Sequence, residues 1–162
     1  MNFHHMAVFV SDMQEAVRLW RDVLGFKVVV DTVIPDGTAP GPKTFMYPAL
    51  LDDIFKVTGA RSKMVLLTSD EGALIELQEC ENPSIQKTPP ENLRYGHTGF
   101  HELGLLVTDI DGWFAKVRAA GFKTQTEYVW PCATIGRSFL FYDTDGNMIQ
   151  MWEHSQSPTW ET

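Results

Sequence analysis

Long apolar runs are missing from this chain. No stretch approaches the ~20 residues that a membrane span requires, and the opening MNFHHMAV lacks the basic flank and apolar core of a secretory signal. Basic residues are scarce too: 13 Lys and Arg stand against 21 Asp and Glu, a formal net charge of -8. A field of that sign repels phosphate backbones and anionic lipid, which argues against nucleic acid and membrane as partners. Cysteine is nearly absent, and neither Cys80 nor Cys132 has the paired spacing of a zinc site or a disulfide framework. These absences lead to the expectation of a cytoplasmic protein whose two thiols stay reduced as buried fillers. With 44% hydrophobic and 12% aromatic residues, the chain has ample material for a packed interior, so disorder is excluded.

What is present is a repeat. FHHMAVFVSD at 3–12 returns as FHELGLLVTD at 100–109. In each copy a polar pair, His4-His5 or His101-Glu102, precedes Val10 or Val107 and then Asp12 or Asp109. A helical run follows each copy and stops at GlyPheLys, 25–27 and 121–123. The chain is therefore a duplicated module.

Period-2 alternation over 3–10 predicts a strand, and caps at Ser11 and Asp12 open a helix that Gly25 closes. A second strand is predicted over 26–34, a loop over 35–42, and a short helix over 48–59 that has no counterpart in the second copy. That insertion reads as a lid or pocket wall, or as an ordinary surface helix. Strands over 63–68 and 73–78 complete the first module. The second repeats the order: strand 101–107, helix 111–120, and strands 123–130, 137–142 and 148–153. The predicted organisation is a first βαβββ module over 1–80 with its insertion at about 35–60, a linker over 81–97, a second module over 98–154 and a frayed tail over 155–162. The fold class expected is α+β, two βαβββ modules forming an open curved mixed sheet with helices on its outer face.

Four strands carry polar residues among apolar ones. His5 and Glu102 each stand five places before a matched valine, while Glu76 and Gln150 stand between Ile75 and Leu77 and between Ile149 and Met151. Their apolar neighbours pack on the helix layer, which sends His5, Glu76, Glu102 and Gln150 to the opposite face. One imidazole, two carboxylates and one amide oxygen suit a divalent ion of the zinc, nickel, cobalt, manganese or iron type.

The chain resembles the vicinal oxygen chelate superfamily, nearest to its glyoxalase I-like and methylmalonyl-CoA epimerase-like members. The carriers are HMAVFVSDMQEAVRLWRDVLGFKV at 5–28, LIEL at 74–77, ELGLLVTDIDGWFAKVRAAGF at 102–122 and FYDTDGNMIQMWE at 141–153. The resemblance implies one divalent metal ion per site, with ligand positions falling on His5, Glu76, Glu102 and Gln150. Two departures stand out. The position commonly held by His is Glu102, with His101 able to replace it only through a register-shifting bulge, and the position commonly held by Glu is Gln150.

The resemblance further implies a lyase or isomerase that removes a proton beside a metal-chelated carbonyl of a small-molecule substrate. Gln150 cannot accept a proton, which leaves Glu76 and Glu102 as candidate catalytic bases. The alternatives are an Fe(II) extradiol-type dioxygenase, which would need His101 as a second imidazole, and a metal-free small-molecule binding or resistance protein. Phe9, Tyr128, Trp130 and Trp152 are the aromatics available to line such a binder's cavity. The superfamily also suggests a homodimer.

Overall fold

The computed structural model describes residues 2–155, so the predicted tail beyond Ser155 lies outside the described residues. The protein is α+β, built as two compact units: one runs to Lys87 and the other begins at Thr88.

In the first unit, strand β1 (His5–Phe9) leads through the Asp12 cap into α1 (Met13–Val17). The Asp12 carboxylate accepts from the Gln14 and Glu15 amides at 3.0 and 3.1 Å, satisfying donors that the first helical turn leaves unpaired. The helix then widens into a π-helical segment, Arg18–Val23, where the expected pattern was plain α. There the Leu24 amide reaches back to the Leu19 carbonyl and the Phe26 amide to that of Trp20. Leu19, Trp20 and Val23 are all buried by this segment. Gly25, at φ +84°, makes the left-handed exit.

Strands β2 (Lys27–Ile34), β3 (Arg61–Thr68) and β4 (Leu74–Asn82) follow, and the sheet order is β1-β4-β3-β2 with β1 parallel to β4 and the other pairs antiparallel. Strand β4 runs to Asn82, past its expected end, because Glu79, Cys80 and Asn82 still have partners on β3. Val65, Leu67, Ile75 and Leu77 lie buried on the helix-covered face.

The inserted helix is α2 (Pro48–Phe55), and it packs on the other face of the sheet. Its Leu51, fully buried, joins Ile34, Ala60 and Met64 in a satellite core, with Val30 and Phe55 packed against it. Asp52 Oδ1 accepts from the Ala60 amide at 2.8 Å and ties the chain beyond the helix back to it.

The second unit repeats this plan. Strand β5 (Glu102–Leu106) is followed by α3 (Ile110–Ala119), then β6 (Trp130–Cys132), β7 (Gly136–Tyr142) and β8 (Met148–His154), in sheet order β5-β8-β7-β6. The expected strand over 123–130 shrinks to β6, with one isolated bridge from Thr124 to Phe141. Pro131 sits inside β6 instead of ending it, which an edge strand permits because its outer side needs no amide donor. Ile110, Val117, Phe139, Phe141, Ile149 and Met151 form the core between α3 and the sheet.

Gly136 is where this unit tolerates no side chain. A β-carbon there would stand 2.5 Å from the Glu153 carbonyl oxygen and 2.7 Å from the Trp152 ring. Backbone cannot yield as a flexible side chain does, so Gly136→Ala is expected to destabilise the protein by about 1–3 kcal/mol, read by denaturant unfolding. Wild-type stability in that variant would show that β7 and β8 can separate at little cost.

Candidate functional site

On the first sheet, strand alternation gathers His5, Ala7 and Phe9 of β1 with Glu76, Gln78 and Cys80 of β4 and Ser62 and Met64 of β3. The register sets Ala7 beside Glu76, so the smallest side chain on β1 adjoins the carboxylate. His5 Nε2 lies 3.6 Å from Glu76 Oε2, while His5 Nδ1 lies 2.7 Å from His4 Nδ1 and so keeps the other nitrogen turned towards the carboxylate.

The other carboxylate oxygen is held by a chain of polar groups that period-2 reading did not single out. Gln78 Nε2 donates to Glu76 Oε1 at 2.7 Å, Ser62 Oγ donates to Gln78 Oε1 at 2.5 Å, and Cys80 Sγ donates to Ser62 Oγ at 3.6 Å. Gln78 is 2% exposed and Ser62 not at all, so each would cost free energy if left without a partner. The linkage gives the amide one orientation: its oxygen takes the serine proton, and its nitrogen must face Glu76. Burial raises the Cys80 pKa above that of an ordinary thiol, with the Ser62 contact opposing it weakly, so the sulfur remains a neutral donor. The signal available in sequence was Gln78 sharing strand parity with Glu76, two residues away.

The second sheet is matched place for place. His5 pairs with Leu74 and Ala7 with Glu76 in the first unit; Glu102 pairs with Met148 and Gly104 with Gln150 in the second. Glu102 and Gln150 therefore occupy the positions of His5 and Glu76, and the small residue recurs as Gly104. The Tyr95 hydroxyl donates to Glu102 Oε2, a contact that sequence reasoning missed because Tyr95 lies in the connecting segment. Desolvation first, and then the Glu102 carboxylate, push the Tyr95 pKa up to about 12.

His101 lies just before β5, and its Nε2 donates to the His97 carbonyl while its Nδ1 is 3.5 Å from the Leu93 carbonyl. Glu153 accepts from the Ile110 amide at the start of α3, at 3.2 Å. Trp152 Nε1 donates to His154 Nδ1 at 2.9 Å.

Among the described residues, no group of three or more His, Cys, Asp or Glu side chains is close enough to hold a metal ion. The donor chemistry nonetheless fits one in halves. Two ligands about 2.0–2.2 Å from a shared ion stand roughly 3–3.6 Å apart, and the 3.6 Å between His5 Nε2 and Glu76 Oε2 is of that size.

Two successive β-α-β-β-β units, each with a polar donor pair on the sheet face away from its first helix, define a duplicated α+β fold. A family model, the Glyoxalase/Bleomycin resistance protein/Dioxygenase superfamily, matches residues 2–151, and the chain belongs to that superfamily. No curated protein matches it in sequence. Among solved structures it is similar to a glyoxalase family protein from Bacillus cereus (TM-score 0.77, 13% identity, 96% of this chain and 95% of that one covered). It is also similar to a mutant of the fosfomycin resistance protein FosX from Listeria monocytogenes, complexed with Mn(II) and 1S,2S-dihydroxypropylphosphonic acid (TM-score 0.57, 17% identity, 96% and 93% covered). A third similar structure is TnmS3, an antibiotic binding protein from Streptomyces sp. CB03234 (TM-score 0.54, 20% identity, 96% and 97% covered). At these identities the likeness is one of fold. The superfamily includes both enzymes and binding proteins. No described helix is long and apolar enough to cross a membrane.

Because the folded state raises the Tyr95 pKa above the unfolded value of about 10, the protonated phenol contributes stability that is fully present below pH ~10 and is lost as pH rises towards 12. Alkaline titration by phenolate absorbance should show one of the four tyrosines ionising late. Glu102→Gln should lower that pKa without returning it to 10, because desolvation is the larger cause. An unchanged titration in Glu102→Gln would show that the contact does not persist in solution.

Proposed function

We propose that this protein is a divalent-metal-dependent lyase or isomerase that removes a proton from a carbon next to a metal-chelated oxygen of a small molecule. Its ligands are His5, Glu76, Glu102 and Gln150, and Glu76 and Glu102 are the candidate bases. The observation that carries this reading is the matched register, which sets His5 with Glu76 and Glu102 with Gln150 at equivalent places of the two sheets.

When bound, the ion would polarise the chelated oxygen and so acidify the neighbouring carbon–hydrogen bond. The chain's own groups do the rest. Gln78 holds Glu76 in one rotamer, and Tyr95 does the same for Glu102. A carboxylate takes the proton from carbon and returns it to the same or the adjacent carbon, as an isomerase requires, or passes it to the group that departs as the neighbouring bond breaks in an elimination. The dioxygenase reading is weaker on one count: it needs a second imidazole, and His101 is directed at backbone carbonyls. A metal-free binder is the second reading, favoured by an apolar cavity beside Phe9 in the first unit. We further propose a homodimer, which light scattering tests.

Calorimetric titration with Zn(II), Ni(II) and Mn(II) should find one ion per chain. Gln78→Leu should weaken binding by roughly 10- to 100-fold, the usual effect of losing a group that orients a ligand, and His5→Ala by more. A protein that takes up neither these ions nor Fe(II) would leave only the binder. Solvent-deuterium exchange into α-hydroxycarbonyl compounds that survives both Glu76→Gln and Glu102→Gln would remove the base assignment.

A further inference from the structure

Further along the face that carries His5 and Glu76, the first unit holds a cavity of about 410 Å³ lined by Phe9, Ile54, Phe55, Cys80, Pro83 and Ile85. We propose that this cavity receives the uncharged apolar end of an elongated small molecule whose oxygen-bearing head lies at His5 and Glu76. The inference rests on the preceding reading for the head and on the cavity alone for the arm.

Four observations support it. The volume lies within the range of small-molecule sites, roughly 300–1,000 Å³. None of the lining side chains is a carboxylate, ammonium or guanidinium, the remaining two being Ser84 and Gln86, so a charged terminus would find no partner. Phe9 and Ile54 are 51% and 52% exposed, which leaves apolar surface at the mouth that a ligand would cover. Finally, Cys80 and Phe9 share strand parity with Glu76 and His5 four residues away, which at strand rise is about 13 Å. On these two strands Ala7 and Gln78 lie between.

This distance selects the substrate class. A three-carbon molecule held at His5 and Glu76 would leave the cavity empty, whereas a straight chain of about twelve to fourteen carbons would cover the ~13 Å and enter it. The described residues of the second unit differ at the corresponding places. The places of Gln78 and Cys80 are taken there by Trp152 and His154, which hydrogen-bond to each other, and α2 has no counterpart.

The test compares the affinities of metal-loaded protein for lactate, 2-hydroxydodecanoate and 2-hydroxytetradecanoate, with 4-phenylbutan-1-ol as a headless probe, by calorimetry or ligand-observed NMR. The longer acids should bind at least about tenfold more tightly than lactate, as expected for several methylenes leaving water. Ile54→Trp and Ile85→Trp, which fill the cavity from α2 and from the segment after β4, should each bring that ratio towards one. Equal affinity for all three acids in the wild type, or a preference that survives both substitutions, would overturn the proposal. So would a change of oligomeric state in either variant, since the cavity would then be a subunit contact. If no acid binds but 4-phenylbutan-1-ol does, and both substitutions weaken it, the cavity stands and the reading of the head falls.

Discussion

The parallel pairing of first and last strands within each unit is the constraint on which the rest depends. Parallel neighbours cannot be joined by a tight turn, so the intervening helix and two strands must travel round before β4 can lie against β1. Once it does, register and parity follow together. A slip of one residue would turn Glu76 into the helix-packed core and Ile75 out to the open face, and buried Leu77 and Val65 make that slip costly. The donor pairs are thus held in place by ordinary core packing on the far side of the same strands.

The two units have kept this frame and diverged on their open faces. The first carries a hydrogen-bonded series from Cys80 to Glu76 and an added helix packed over β2 and β3. The second replaces the carboxylate by Gln150 and the buried amide by the indole of Trp152, and supports Glu102 through Tyr95 from outside the sheet. The frame is common to both units, and the polar groups on its open face are not.

Much of this was legible beforehand. The repeat and the βαβββ order of elements in each module follow from period-2 counting and the breaks in it, because a strand with one packed face leaves parity little freedom. The π-helical widening after Val17 was not legible, since Leu19, Trp20 and Val23 fit an α pattern equally well. Strand β4 outran its expected end because polar Glu79 and Glu81 resemble a linker until the pairing of Glu79, Cys80 and Asn82 with β3 is known. β6 fell short of its expected length, since 123–129 has β-branched content but only one bridge to support it. Gln78 shared its parity with Glu76 and could have been found, whereas Ser62 and Tyr95 reach their partners from a neighbouring strand and from the connecting segment, relations that leave no periodic mark.

The added helix α2 also gives the first unit a direction. Its Ile54 and Phe55 wall an apolar recess beside Phe9 at one end of β1, while His5 and Glu76 mark the other end, so the open face is polar at one end and apolar at the other and the two cannot be exchanged.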